Sequence, residues 1–333
     1  MHGECMSSLA LMIPPRRRPL VAAAAALGAV YLIWGSTYLG IAVAVRSLPP
    51  LMMLSLRFLV AGGALYWWSL RRGEARPSRR HWRSAFIVGG LLLFVDTGAV
   101  AWAEQRGLDT GLAALLCATI PLWLVGLDGA VSGKRLGRRT ILGMAVGLTG
   151  VALLVGPSAS GLDLPAVAAV LVGVLAWAGG SIYARTAPLP GRLELASGME
   201  MIAGGLLLGV ASLVKGEPFQ VHAVPASAVL AVAYLTVFGS LVAYTSYGWL
   251  IRTIPTKIVS THAYVNPIVA VFLGWLVLGE PITGTVVAAG ALILLSVVLL
   301  VGRRRRVRPR PEPVAQVATL PIVRHPEAAR IAA

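Results

Sequence analysis

The chain has 333 residues, of which 57% are hydrophobic and only 13% charged, with a mean hydropathy of +0.79. That charge share is about half of what a soluble domain carries, which excludes an ordinary soluble enzyme and points to an integral membrane protein. The net charge of +16 does not read as a nucleic-acid footprint. Its Lys and Arg stand in short clusters between apolar runs, where bilayer orientation accounts for them.

In chain order, residues 1–19 read as a cytoplasmic tail. The apolar piece Leu9–Ile13 is too short for a secretory signal and precedes its basic residues. Met12 is an alternative start, and Arg16, Arg17 and Arg18 flank the first span. A bilayer core of about 30 Å takes about 20 helical residues to cross. Ten runs qualify: Val21–Val45, Leu51–Leu70, Trp82–Ala103, Thr110–Val131, Thr140–Val155, Leu164–Ala184, Leu193–Leu213, Ala226–Ile251, Thr256–Leu278 and Thr283–Val301. Thr140–Val155 is the shortest. Turn chemistry separates them at Pro49-Pro50, Gly107, Gly133, Gly156-Pro157, Pro188 to Gly191, Gly216 to Pro218, Pro255 and Pro281. With the N-terminus inside and the spans alternating, only Arg46, Arg106 and Lys215 of the 29 Lys and Arg fall outside, and Arg57 lies within a span. All the rest fall inside, as the positive-inside rule requires. Both termini are therefore expected in the cytoplasm, and the basic, Pro-rich residues 303–333 read as a disordered tail able to touch anionic lipid.

Shifted by 146 positions, Thr110–Gly156 meets an echo of itself in Thr256–Gly302. Thr110 falls on Thr256, Pro121 on Pro267, Gly133 on Gly279, and Val151–Gly156 on Val297–Gly302. Ala61-Gly62-Gly63 resembles Ala203-Gly204-Gly205, Trp34 matches Trp177, and Arg106 falls on Arg252. Five spans in each copy turn the second upside down relative to the first. The expected fold class is an all-α integral membrane protein of ten transmembrane helices in two inverted five-helix repeats, residues 20–157 and 158–302. Such halves place a substrate cavity between them near the midplane, and rocking about it gives alternating access.

Several motifs point to a family. Ile33-Trp34-Gly35-Ser36-Thr37-Tyr38, Pro49-Pro50-Leu51-Met52-Met53 and Arg57-Phe58 resemble the opening of an EamA-domain protein of the drug/metabolite transporter superfamily. Ala103-Glu104, Glu200-Met201, Phe238-Gly239-Ser240, Tyr247 to Arg252 and Ala263-Tyr264-Val265-Asn266-Pro267 are similar to the YedA-type drug/metabolite exporters. The resemblance covers nearly all of residues 19–302. It implies two EamA units, a basket-like cavity and efflux of small metabolites or drugs across an inner membrane. It does not supply the substrate.

Ionisable groups inside a membrane are costly, so each is a functional candidate. At 1.5 Å per residue, Arg57 and Asp96 share a level in the outer half, and a pair between them is expected, either lining the cavity or bracing helices. Glu104, at the outer end of the Asp96 helix, is read either as a contact for a cationic substrate or as a wet interfacial carboxylate. Glu200 and His262 share a level in the inner half, where a contact would suit proton coupling or plain helix packing. Asp128 is expected to pair with Lys134 or Arg135, and Glu280 to cap the tenth helix. Trp34, Tyr38, Trp102, Trp177, Tyr183, Tyr244, Tyr247 and Tyr264 offer π-faces to a planar or cationic ligand, while Trp67, Trp68, Trp82 and Trp249 suit the interfacial belt. Ser36 stands in a small-residue stretch that permits close helix contact. Pro121 and Pro267, about 16 Å deep in oppositely directed spans, are expected to loosen the helix near the midplane. The asymmetry around His262, Tyr264 and Asn266 marks the expected substrate region.

Cys5 and Cys117 build neither a disulfide framework nor a metal site. No cofactor is expected. An intramembrane enzyme would need a nucleophile with its base or two metal-binding His, and no such motif occurs. The expected partners are a small-molecule substrate and the lipid bilayer, not nucleic acid, with the chain a monomer or homodimer. An importer or exchanger of amino acids or other metabolites is the alternative within the superfamily; a membrane scaffold or receptor is the alternative outside it.

Overall fold

Apolar runs in a bilayer have no water to satisfy their backbone groups, so they close every hydrogen bond internally as helices. The computed structural model describes residues 18–133, 136–155, 163–217, 224–254, 256–259 and 261–301, and among them it is all-helical with no strand. Five helices make the first half. They are α1 (Arg18–Val45), α2 (Pro50–Arg71), α3 (Arg79–Gln105), α4 (Thr110–Cys117 continuing as Ile120–Ser132) and α5 (Arg138–Val155). The second half holds α6 (Leu164–Ala184), α7 (Leu193–Lys215) and α8 (Ala226–Tyr234, Leu235–Val242 and Ala243–Thr253). It ends with α9 (Thr256–Val259, His262–Leu273 and Gly274–Leu278) and α10 (Gly284–Val301).

Seven of these helices are long and apolar enough to cross a membrane: α1, α2, α3, α4, α6, α7 and α8. The apolar parts of α9 and α10 are shorter, and α5 has 18 residues with Arg138 and Arg139 in its first turn. Leu32, Val60, Trp67, Leu213, Leu230 and Ile268 stand more than half exposed, an apolar exterior that suits acyl chains and not water. Trp67 and Trp68 carry Arg71 and Arg72 over their rings, with each guanidinium carbon 4.8 and 4.6 Å from the ring centre, as an interfacial belt would.

Partner choice repeats itself across the halves. The second helices, α2 and α7, pack against each other, as do the fifth, α5 and α10. α1 packs on α8 and α9, while α6 packs on α3 and α4. Advancing every number by five maps these contacts onto one another, whereas among the described residues the packing of α1 on α3 and α4 has no such counterpart. Local geometry repeats too. Gly133 and Gly279, one repeat apart, end their helices in the left-handed region at φ +64° and +72°, where a residue without Cβ fits without strain. α3 carries a π-helical run, Gly90–Thr97, and α8 carries another, Leu235–Val242. A shift of 146 residues brings the first within one residue of the second.

The α3–α7 seam is tight enough to forbid a side chain. A Cβ on Gly89 would collide with the carbonyl oxygen of Glu200 and stand 3.0 Å from the backbone nitrogen of Gly204. Small residues at such crossings let backbones meet.

Polar contacts tie the helix ends together. Arg106 Nε meets Asp163 at 2.5 Å, and Glu217 receives Lys215 Nζ and the Met52 amide, each at 3.2 Å. Arg192 pairs with Glu74 at 3.1 Å and Arg185 with Asp128 at 3.0 Å. The Arg106 hydrogen bond holds the Asp163 carboxyl below its ordinary range. That contribution is present above the unfolded carboxyl pKa and fades as pH falls through the folded one. Asp128 thus reaches across to α6; Lys134 and Arg135, its expected partners, lie outside the described residues.

Candidate functional site

Arg57, Asp96, Glu104 and Glu200 are all buried, at 6 to 8% exposure. The structure distributes them over separate places and does not form the two expected pairs. Arg57 turns from α2 toward α8, where its Nε donates to Ser240 Oγ at 2.9 Å and its guanidinium lies 4.9 Å from the ring centre of Phe58. Asp96, within the π-run of α3, turns toward α6, where Gly173 leaves room for it. A shared depth brought the two carriers to one level, but the azimuth of each helix sends them to different neighbours. Asp96 Oδ1 is buried without a hydrogen-bond partner. Tyr38, on α1, packs against the core cluster that includes Cys117 of α4.

Glu200 and His262 likewise do not touch; aromatic side chains lie between them. Tyr244 donates its hydroxyl to Glu200 Oε2 at 3.2 Å. The Trp34 ring centre stands 6.3 Å from Tyr244, 5.1 Å from Tyr247 and 5.4 Å from His262, and Tyr247 stands 5.6 Å from His262. The imidazole is edge-on to both neighbouring rings, with its Nδ1 buried and unpartnered. Tyr244 and Tyr247 lie one turn apart on α8 and so share a face, just past the π-run. Trp34 ties that face to α1 by donating Nε1 to the Gly239 carbonyl at 3.3 Å. Tyr244→Phe removes the donor to a buried carboxylate. It is expected to destabilise the protein by about 1–3 kcal/mol, read as a lower thermal midpoint in detergent, whereas Tyr247→Phe should cost less.

Other candidates fall elsewhere. Ser36 Oγ shares a hydrogen bond with the Tyr234 hydroxyl at 2.6 Å. Trp177, the repeat mate of Trp34, packs in the main core with Leu92 and Val174 rather than with the aromatic cluster. Trp102 lies under the Arg106 guanidinium at 4.9 Å. Glu104 is no wet interfacial group: both its oxygens are buried without a donor. Tyr264 donates to the Val297 carbonyl at 3.0 Å, bracing α9 against α10, and Asn266 Oδ1 is buried and unpartnered. Pro121 opens the second piece of α4, after a break at Ala118-Thr119. Pro267, by contrast, stays inside a helical piece whose break lies upstream, next to Thr261. There Thr261 Oγ1 bonds both the Tyr31 hydroxyl and the Ile258 carbonyl.

Glu280 corrects another expectation. It does not cap α10, whose first turn is held by Thr283 Oγ1 accepting from the Val286 amide at 3.2 Å. Its carboxylate instead caps α4 of the other half, taking the Thr110 amide at 2.8 Å, the Thr110 hydroxyl at 2.8 Å and the Gly111 amide at 3.2 Å. Asp109 sits beside this cap, and burial, with Glu280 adding to it, raises its carboxyl pKa. Ser240, Tyr234 and Thr110 are contact residues that composition and depth alone did not single out; the sequence placed Thr110 and Ser240 only within the repeat and the family motif.

The comparisons agree with one another. The family model for the EamA-like transporter family matches residues 21–156 and again residues 164–302. The chain is 39% identical to the "Uncharacterized inner membrane transporter YedA" of Escherichia coli K12 over 86% of this chain and 92% of that protein. It is 25% identical to a "Probable amino-acid metabolite efflux pump" of Salmonella typhimurium, over 80% of this chain and 90% of the pump. It is 27% identical to a "Probable terminal-alkyne amino-acid exporter" of Streptantibioticus cattleyicolor, over 80% and 88%. A solved crystal structure shares the fold at a TM-score of 0.58 and 21% identity, over 84% of this chain and 96% of the other. The chain belongs to the EamA-like transporter family, and is a membrane transporter of the drug/metabolite transporter superfamily.

Proposed function

We propose that the chain exports small metabolites or drugs across the inner membrane by alternating access, with both termini cytoplasmic and its substrate held between two inverted halves, residues 20–157 and 158–302. Ten spans complete the scheme, with α5, α9 and α10 crossing alongside the seven longer helices. The observation that carries this reading is the set of buried polar atoms left without partners along the helices that meet between the halves. Arg57 Nη1, Asp96 Oδ1, His262 Nδ1 and Asn266 Oδ1 are all of this kind. Such groups cost several kcal/mol in a membrane and persist where a solute or ion engages them. The five-helix repetition of contacts and the twofold family match support the inverted arrangement. The name of the Salmonella relative supports the outward direction.

Proton coupling follows from Glu200. Its carboxylate is buried and receives a single described donor, Tyr244, so a proton on it exchanges against substrate at low cost in charge. Counterflow in proteoliposomes, with and without a pH gradient, tests the whole reading. Amino acids, sugars and cationic dyes form the panel, and at least one is expected to move faster with the gradient. Glu200→Gln should keep counterflow and lose the gradient's effect. Movement of no solute in either gradient rejects the transporter mechanism, and unchanged pH dependence in the variant rejects Glu200 as the coupling group.

A further inference from the structure

We propose that Arg57 is an anion site that takes the carboxylate of the transported solute, a proposal that rests on the transporter reading above. Its guanidinium is held at one corner only, by Nε on Ser240 Oγ at 2.9 Å. Among the described residues Nη1 is buried without a partner, and the ion pairs all lie elsewhere. Asp96, the carboxylate of its own level, faces α6 instead. A buried carboxylate escapes such isolation by taking up a proton, but a guanidinium does not shed one. A permanent buried charge without a counter-charge is expensive, and a ligand that supplies one lowers that cost.

The geometry selects the ligand class. With Nε anchored, Arg57 presents its Nη1/Nη2 edge, the fork that matches a planar carboxylate with two parallel hydrogen bonds. Beside that edge stands Gly239. A Cβ there would lie 3.0 Å from Nη2 and 3.1 Å from the Thr37 methyl, so only a residue without a side chain fits against the fork. The Gly239 carbonyl receives the Trp34 indole, and from Trp34 the wall continues to Tyr247 and His262. The fork and the aromatic cluster thus meet at Gly239, a pairing that suits a small organic carboxylate with an apolar or aromatic body.

Matched pairs test this: benzoate against benzamide, and phenylacetate against phenylacetamide, on the full chain in detergent micelles. Benzoate or phenylacetate should raise the thermal midpoint while its carboxamide does not. Arg57→Gln should abolish that selectivity and weaken the apparent affinity at least about tenfold, as loss of a bidentate charged contact does. Arg57→Lys keeps a charge for folding but lacks the fork, and should weaken it several-fold. Equal stabilisation by acid and amide in the wild type overturns the proposal. So does unchanged benzoate affinity in Arg57→Gln, or in Arg57→Lys where the Gln variant does not fold. Acid-selective stabilisation without any counterflow in proteoliposomes supports the anion site and counts against the transport reading alone.

Discussion

Gly89→Ala is expected to abolish the folded protein, although it adds a single methyl group. The new Cβ would strike the Glu200 carbonyl and crowd the Gly204 amide, and both are backbone atoms of a helix packed along α3. Neither can rotate away, so α3 and α7 must separate along their length. Overpacking that a flexible side chain absorbs costs about 1–3 kcal/mol; a backbone collision exceeds it. The measurement is the monodisperse fraction after mild detergent extraction, which should fall to near zero. Gly63→Ala is the matched control, since a Cβ there meets nothing within 4 Å, and it should extract like the wild type. Normal extraction of Gly89→Ala would show that the seam is looser than described. The same seam carries Glu200, so a partial separation would also displace the buried carboxylate from Tyr244.

The second large effect is expected at Glu280. Ala in its place leaves the Thr110 and Gly111 amides and the Thr110 hydroxyl without their acceptor. Charge-assisted hydrogen bonds of this kind contribute about 1.5–3 kcal/mol, and a carboxylate at a helix N-terminus gains further from the helix dipole. Glu280→Ala should therefore lower the thermal midpoint by several degrees. Glu280→Gln, which keeps an acceptor oxygen but not the charge, should lose about half as much. Because the cap joins the α9–α10 corner to α4, it also ties residues of one family match to residues of the other. One repeat away the sequence counterparts of Glu280 and Thr110 are Lys134 and Thr256, and a lysine offers no acceptor. The carboxylate cap is thus not repeated in sequence, and in proteoliposomes Glu280→Ala should change counterflow rates rather than leave them untouched. Equal midpoints for wild type, Gln and Ala would remove the cap from the stability account.

Why these helices form was legible in residue order, because an apolar run of about 20 residues has one way to satisfy its backbone in lipid. The repeat was legible as well, since Gly133 and Gly279 end their helices in the same left-handed conformation. What resisted reading was the direction in which each buried charge points. Counting at 1.5 Å per residue gives depth and no azimuth, and helices apolar all round carry little amphipathic signal to supply one. Arg57 and Asp96 were thus placed at one level and wrongly joined. Glu280 was misread for a related reason. Its nearest helix start in sequence is α10, but the chain turns at Gly279 and delivers the carboxylate to α4 instead. His262 and Glu200 were separated by Tyr244 and Trp34, whose presence was noted but whose position between them depends on how α1 packs on α8.

The twin π-runs of α3 and α8 have a consequence for any attempt to redesign this protein. A π-turn holds one more residue than the α-turn it replaces, so each run works as a phase shifter between the two ends of its helix. Deleting one residue from Gly90–Thr97 would remove that extra residue, let α3 relax to a regular helix and leave Trp102 and Glu104 close to the faces they hold now. The same deletion in a regular part of the helix would turn everything beyond it by about 100°. In Leu235–Val242 the deletion would likewise keep Tyr244 and Tyr247 on the side of Trp34. Sequence alignments that open a one-residue gap at either run therefore compare side chains that face the same way, and alignments that run through without a gap do not.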